Sequence, residues 1–374
     1  MDKTTLAAIS RRFPLLSRPR PACPTLAERV TEITQIALDA RRDGADVLAE
    51  STHALNKAAL LVSDCGLTDL ARDLCWQQIN IFRDVGPALS VSEAGYMLAP
   101  VLNLARLDIR DGAADEVVDL LERMVHAVKE RIDLDFDGRT LQLAKIVGTR
   151  DEHKKLHEWA WKACLSDGIR AFANHARWDE AVSHAARHRG IGLHLMDGRQ
   201  ASIVAACLNS QDSTAVELLD SSILTQPWER DVANCLRMLC LHAADTATAA
   251  DAESTVNNFL EQHPVPGYAP YHARLGMTVV ALAAELHPKA ANRALAHTVE
   301  MALKSADGYA ARELLGRTNV GVQLQASDHR ALSELAASSG LGVGELAEPL
   351  LDSVLLSTDL AKKALSAAIG EYRG

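Results

Sequence analysis

Histidine is the residue type whose spacing most suggests chemistry in this chain, which has fourteen copies. His153 and His157 are four residues apart, as are His184 and His188, so each pair would lie on one helix face and could ligate zinc. The metalloprotease order His-Glu-x-x-His is absent, and no acidic third ligand stands at a recognised spacing. We therefore predict no resident metal or other cofactor, and keep His184 and His188 as the alternative metal ligands.

Cysteine chemistry needs a thiolate, and the positions of the cysteines do not favour one. Cys65 precedes a glycine that can end a helix, where the helix dipole raises a thiol pKa, and Cys75 lies inside a helical pattern. The number is odd and Cys-x-x-Cys is absent, so we expect buried free thiols in a reducing cytoplasm. The seven are Cys23, Cys65, Cys75, Cys164, Cys207, Cys235 and Cys240.

Other catalytic and ion-binding motifs also fail. Asp133, Asp135 and Asp137 begin like a calcium loop, but the closing acidic position is Ala144, so we interpret the stretch as a solvated turn. The sequence has neither the Gly-x-Ser-x-Gly nucleophile elbow nor a phosphate-binding P-loop. No catalytic residue is predicted, and a binding protein is favoured over an enzyme.

Composition indicates the kind of element that would position any site. Hydrophobic residues make up 48% of the chain but aromatic residues only 4%, and Ala and Leu fill the apolar positions, which suits closely packed helices. The net charge of −10 argues against nucleic acid as a partner. No run of eighteen apolar residues exists, so we expect no membrane span.

The first 24 residues differ from the rest of the chain. They hold four of the twelve prolines and a cluster of arginines, which predicts a flexible basic arm. We expect deletion of residues 1–20 to leave the fold nearly unchanged and to alter partner affinity or its salt dependence. Thr25 with Glu28 forms a capping box that begins a helix over about 26–42.

From there one theme recurs, in which two amphipathic segments are separated by a short break. Gly66 breaks the pair over 54–82, and Gly112 breaks the pair over 96–125. Ala181 and Ala215 occupy equivalent places in later pairs, 34 residues apart, which is the tetratricopeptide period. We predict thirteen or more helices in antiparallel pairs, and strand below about 5% of the chain, against a quarter in ordinary domains.

The segment ARWDEAVSHAARH (176–188) resembles the second helix of a tetratricopeptide repeat, although the usual glycine before Arg177 is missing. The resemblance implies a right-handed solenoid over residues 25–305, a helical cap over 306–374, and a concave groove that binds a peptide. In that fold the first helix of each pair lines the groove. The polar residues that the resemblance places there are Asn56, Lys57, Asn103, Arg106, Arg170 and Asn174.

The stretch LNKAALLVSDCGLTDLARDLCWQQ (55–78) also resembles helical proteins of high-GC bacteria, some of which are encoded beside peptide-modifying enzymes of natural-product pathways. The resemblance implies a client that is a precursor peptide or a modifying enzyme. Two alternatives stay open: an enzyme that uses the histidine-rich region 153–194, and a peptide-sensing regulator whose DNA-binding part comes from another protein.

Overall fold

The computed structural model describes residues 1–42, 46–84, 88–263, 265–316 and 323–371. These residues form seventeen α-helices and one two-stranded sheet of three residues a strand. The prediction of an all-α chain with very little strand is therefore confirmed. Within the same ranges, every helix is too short or too polar to be a membrane span.

The chain divides into two compact units, and each unit is built from two separate segments. Unit 1 contains Met1–Pro24 and Phe172–Ser339, and unit 2 contains Thr25–Ala171 and Gly340–Gly374. These units cut across the segments 1–24, 25–305 and 306–374 that the sequence suggested. Packing between residues that are far apart in the sequence decides this division. Local sequence patterns therefore do not predict it.

The helix bounds follow chain order. Unit 1 contains α1 (Lys3–Ser10), α8 (Trp178–Arg187), α9 (Asp197–Leu208), α10 (Asp212–Asp220), α11 (Pro227–Ala243), α12 (Ala249–Leu260), α13 (Ala269–Ala283), α14 (Pro288–Ser305), α15 (Gly308–Leu315) and α16 (Ala326–Ser338). Unit 2 contains α2 (Leu26–Asp39), α3 (Val47–Asp64), α4 (Thr68–Asp84), α5 (Val91–Asp111), α6 (Ala114–Glu130), β1 (Leu134–Phe136), β2 (Arg139–Leu141), most of α7 (Arg150–Asn174) and α17 (Glu348–Glu371).

The helices of unit 1 pack in two layers. α9 packs on α11, α11 on α13 and α13 on α15, and we call these four the first-layer helices. α12 packs on α14 and α14 on α16, and these three form the second layer. Each helix also packs against its neighbours in the sequence. A helix pair therefore buries its apolar face against the next pair along the chain.

Small residues let these helices approach closely. Ala181 in α8 and Ala215 in α10 are both fully buried. At Gly276 in α13, an added Cβ would stand 2.3 Å from Oγ1 of Thr298 in α14 and 2.7 Å from Cζ of Phe259 in α12. Because real Cβ atoms do not approach other atoms so closely, glycine is required at this contact.

Residues 1–24 do not form the flexible arm that was expected. They begin with α1, which packs against α9, α11 and α13 of the first layer. Ile9, Phe13 and Leu15 are almost completely buried. The prolines do not oppose this arrangement, because all four follow α1 and stand in a non-helical stretch that needs no helical hydrogen bonds. The apolar side chains between the arginines outweigh the local preference for disorder.

Unit 2 has the same neighbour-to-neighbour packing over α2 to α6, and α17 completes it. α17 packs against α2, α3 and α4, although more than 260 residues separate it from them in the sequence. Ser357 and Thr34 share a hydrogen bond of 2.9 Å, and Nζ of Lys362 donates to Oε1 of Gln77 over 2.8 Å. The expected C-terminal cap over 306–374 is thus divided, with α15 and α16 in unit 1.

The turn predicted at 133–138 is the tip of a β-hairpin. β1 and β2 pair antiparallel, and Asp137 and Gly138 between them both have positive φ, at 51° and 69°. Two residues with positive φ make the turn that matches strand twist, and Asp-Gly favours it. The Asp137-Gly138 dipeptide is the sequence signal for this hairpin, which the interpretation as a solvated turn did not include. Phe136 stacks on Trp76 with ring centroids 5.5 Å apart, which fixes the hairpin on α4.

The predicted start of α2 and the predicted ends of α3 and α5 are confirmed. Thr25 and Glu28 form the reciprocal capping box at the start of α2, although that helix ends at Asp39 rather than near 42. Gly66 and Gly112 have φ of 90° and 91°, the left-handed conformation that ends α3 and α5.

Candidate functional site

Residues 11–24, here called the N-terminal segment, contain no regular helix or strand, and their backbone bonds to α9, to α13 and to loops of unit 1. Backbone that joins neither a helix nor a sheet must find other partners when it is buried. In this segment, side chains and loop backbone from residues far along the chain supply those partners. The result is a site in which unit 1 holds a peptide that belongs to the same chain.

Gln200 of α9 makes the central contact. The Leu15 N–H donates to Oε1 of Gln200, and Nε2 of Gln200 donates to the Leu15 carbonyl oxygen, both over 2.7 Å. Nε2 also donates to the carbonyl oxygen of Leu195 over 2.7 Å, which uses its second hydrogen and fixes the amide orientation. Gln200 and Leu15 are both fully buried, so these hydrogen bonds form without competition from water.

Three further places hold the backbone of the N-terminal segment. Nε of Arg274, in α13, donates to the Arg12 carbonyl oxygen over 2.7 Å. The Arg20 N–H donates to the carbonyl oxygen of Gly267 over 2.8 Å. The Cys23 carbonyl oxygen accepts from the Gly308 N–H at 2.9 Å and from the Ser339 hydroxyl at 3.2 Å. Contacts of this kind bind backbone groups and require no particular side chain in the segment.

Side chains of the segment add selectivity at three positions. Phe13 and Leu15 are buried, which favours bulky apolar residues there. Nη2 of Arg18 lies 3.0 Å from Oδ2 of Asp197, whose side chain is only 5% exposed at the first residue of α9. Because a carboxylate removed from water needs a partner, Asp197 favours a basic residue three positions after the buried leucine.

The polar residues that the resemblance placed in a groove lie mostly in unit 2. Nδ2 of Asn103 donates to Oδ1 of Asn56 over 2.6 Å, which joins α5 to α3. Nζ of Lys57 pairs with Glu32 at 2.7 Å. Asn174, the last residue of α7, belongs to unit 1 and is only partly buried.

The two arginines of the same set meet at one carboxylate. Arg106 and Arg170 both pair with Asp167, at 3.0 Å and 3.6 Å, and the Asp167 side chain is 4% exposed. The structure therefore brings together Asn56 with Asn103 and Arg106 with Arg170. Each cationic side chain already has an acidic partner, so these polar residues contribute to packing within unit 2.

The histidine pair has the geometry that its spacing predicted. The rings of His184 and His188 have centroids 4.6 Å apart, and His184 also meets Phe172 edge-on at 6.1 Å. His184 is fully buried, whereas His188 is partly exposed. Nδ1 of His194 lies 3.3 Å from Oε1 of the buried Glu229. His184, one of the two alternative metal ligands, is thus part of the packing of α8.

All seven cysteines are free and buried, as the sequence analysis expected. Burial raises the pKa of Cys65 to about 11 and that of Cys75 to about 12, so both stay protonated thiols at neutral pH. Desolvation causes these shifts, and the helix dipole considered from the sequence is not needed to explain them. Neither thiol is activated as a nucleophile.

The sequence did not single out Gln200, Arg274 or Asp197. Gln200 directly precedes the largely apolar stretch ASIVAACL (201–208), and a polar residue on the buried face of such a helix is the one available signal. Its partner Leu15 is 185 residues away, and no local pattern reports that pairing. Comparisons of this chain with models of protein families, with curated proteins and with solved structures found no match.

Proposed function

We propose that this chain is a helical-repeat binding protein that holds an extended peptide, or an extended part of a partner protein, on the first-layer helices of unit 1. The observation that carries the proposal is the pair of 2.7 Å hydrogen bonds from Gln200 to both backbone groups of Leu15. A side-chain amide that accepts from N–H and donates to C=O replaces the hydrogen bonds of a neighbouring strand, and so suits any extended chain.

The proposal includes tetratricopeptide-like stacking of the helix pairs as a right-handed solenoid. It is supported by the layered packing of α9 to α16 and by the burial of Ala181 and Ala215 at the 34-residue period. A stacked array presents one layer as a continuous surface along several pairs. The contacts of the N-terminal segment with α9, α13 and the starts of later pairs follow such a surface.

In this proposal the N-terminal segment occupies the site until a client displaces it. A tethered segment competes at high effective concentration, so a client must bind more tightly than the segment alone would. The client chemistry follows from the resident segment: an apolar residue in the place of Leu15, followed three positions later by a basic residue for Asp197. A precursor peptide or a peptide-modifying enzyme in the cytoplasm is the client class that we propose from the resemblance.

The test uses the full chain and a fluorescent peptide of residues 11–24. Leu15→Asp places a charge in a buried apolar site, which should release the resident segment and open the site to the added peptide. Fluorescence anisotropy should then show binding to the Leu15→Asp chain and weak or no binding to the wild type. Phe13→Asp provides a second way to loosen the resident segment, because it also places a charge in a buried apolar site.

The control for specificity replaces the side-chain amide of Gln200 with an apolar group. Gln200→Leu in the Leu15→Asp chain removes two hydrogen bonds to the peptide, and at about 1 kcal/mol each this weakens binding at least tenfold. Asn56→Leu in unit 2 removes a comparable amide away from the site and should leave binding unchanged. If both opened chains keep their helical circular dichroism and bind no peptide, the proposal is overturned.

A further inference from the structure

We infer that Cys207 and Cys240 form a redox-modification site in unit 1, at which hydrogen peroxide joins the two thiols in a disulfide. Cys207 stands near the end of α9 and Cys240 near the end of α11, two neighbouring first-layer helices. Their Sγ atoms are 3.6 Å apart, and Cys207 donates its thiol hydrogen to Cys240. A disulfide needs an Sγ–Sγ distance of about 2 Å, so the sulfur atoms must close by about 1.5 Å.

The surroundings distinguish the two sulfur atoms. The hydrogen bond from Cys207 lowers the pKa of Cys240 by stabilising its thiolate, against the effect of burial, and nearby Arg237 acts in the same direction. The same hydrogen bond, together with burial, raises the pKa of Cys207. Asp212 opposes ionisation of both thiols, and Asp220 opposes that of Cys240. Because the two pKa shifts have opposite directions, Cys240 is the nucleophile and Cys207 is the resolving thiol.

The reaction balances with peroxide as the oxidant. The Cys240 thiolate attacks one peroxide oxygen, the O–O bond breaks, and Cys240 becomes a sulfenic acid while the other oxygen leaves as hydroxide and is protonated to water. The Cys207 thiol then attacks the Cys240 sulfur, the S–O bond breaks and a second water leaves. Two thiols are oxidised to one disulfide, and one peroxide is reduced to two waters.

The product would tie α9 to α11 through a covalent link. The two cysteines are 33 residues apart, and closing a loop of this size lowers the conformational entropy of the unfolded chain. Both residues are nearly inaccessible, at 3% and 4% exposure, so a small oxidant is required and a bulky disulfide reagent should react more slowly. The site is thus selective for a small peroxide over a large thiol reagent.

The experiment treats the folded full chain with hydrogen peroxide, alkylates the remaining thiols after denaturation, and maps cross-linked tryptic peptides by mass spectrometry. The wild type should lose two of its seven thiols and yield one cross-link between the peptides that contain Cys207 and Cys240. Dithiothreitol should restore both thiols. The melting temperature under non-reducing conditions should rise by about 5 °C, since loop closure stabilises the folded chain and native strain offsets part of the gain.

Single substitutions separate the roles of the residues. Cys207→Ser should stop at a sulfenic acid on Cys240 that dimedone traps, and Cys240→Ser should form no cross-link. Cys235→Ser is the matched control, because Cys235 lies on the same helix, is fully buried and has a pKa raised by burial. The Cys235→Ser chain should still form the Cys207–Cys240 disulfide. Retention of all seven thiols, or a cross-link that involves other cysteines, would overturn the inference.

Discussion

Asp231 is a carboxylate whose surroundings shift its pKa toward physiological pH. It lies in α11 beside Gln262, and burial raises its pKa from 3.8 to about 6. Oε1 of Gln262 is buried and has no hydrogen-bond partner among the described residues. A neutral group at position 231 could donate a hydrogen bond to that oxygen, whereas a carboxylate cannot.

The expected consequence is a pH-dependent loss of stability. Because the folded pKa is raised, the protonated form supplies stability that is complete below about pH 4 and is lost as pH rises through about 6. Asp231→Asn should therefore stabilise the chain by about 1 kcal/mol above pH 6.5, after allowance for partial exposure, and by little at pH 4. Thermal melts of both chains at pH 4 and 7.5 check this, and an equal difference at the two values would contradict it.

At the scale of elements, close helix packing depends on Gly276. An added methyl at this position would collide with Thr298 and Phe259, so α12 and α14 must move away from α13. Gly276→Ala should destabilise the chain by about 1–3 kcal/mol despite the better helix propensity of alanine. Gly370→Ala in α17 is the control, because an added Cβ there meets nothing within 4 Å. Chemical denaturation should show the first variant less stable than the second.

A second prediction for an element concerns α17. This helix packs against α2, α3 and α4 and adds apolar side chains such as Leu365 and Ile369 to the core of unit 2. Removal of residues 345–374 should expose the matching faces of those three helices. Hydrogen exchange should then be faster in peptides from 26–39 and 47–84 than in peptides from 269–315 of unit 1. Unchanged protection in α2 to α4 would mean that α17 contributes nothing to the unit.

The N-terminal segment matters at the scale of the whole molecule, where the structure reverses a sequence-based expectation. Removal of residues 1–20 deletes α1 and the buried side chains of Ile9, Phe13 and Leu15. Each such side chain contributes about 1.5–3 kcal/mol through burial, so the truncated chain should melt at a clearly lower temperature than the full chain.

A peptide of residues 1–24 added to the truncated chain should restore part of the loss, because it can rebuild the contacts with Gln200 and Arg274. A peptide with Leu15 replaced by Asp is the control and should restore nothing. Differential scanning fluorimetry with increasing peptide measures both effects. An unchanged melting temperature after truncation would show that the segment is as dispensable as its proline content suggested.

The sequence by itself determined the local features of this protein. Apolar periodicity and the scarcity of aromatic residues predicted an all-α chain, and the caps at Thr25, Gly66 and Gly112 stand where the sequence placed them. Cap geometry depends on residues within one turn, so a single sequence contains the needed information. Ala181 and Ala215, which stand 34 residues apart in the sequence, are both fully buried.

Only the tertiary structure decided which segments pack together. Gln200 meets Leu15 across 185 residues, and α17 joins α2 to α4 from the other end of the chain. The free energy that fixes such contacts comes from burial and from the satisfaction of buried polar groups, and many arrangements of the same helices satisfy the local patterns equally well. A proline-rich basic segment that looks disordered by composition is therefore packed, because unit 1 supplies partners for its backbone and its apolar side chains.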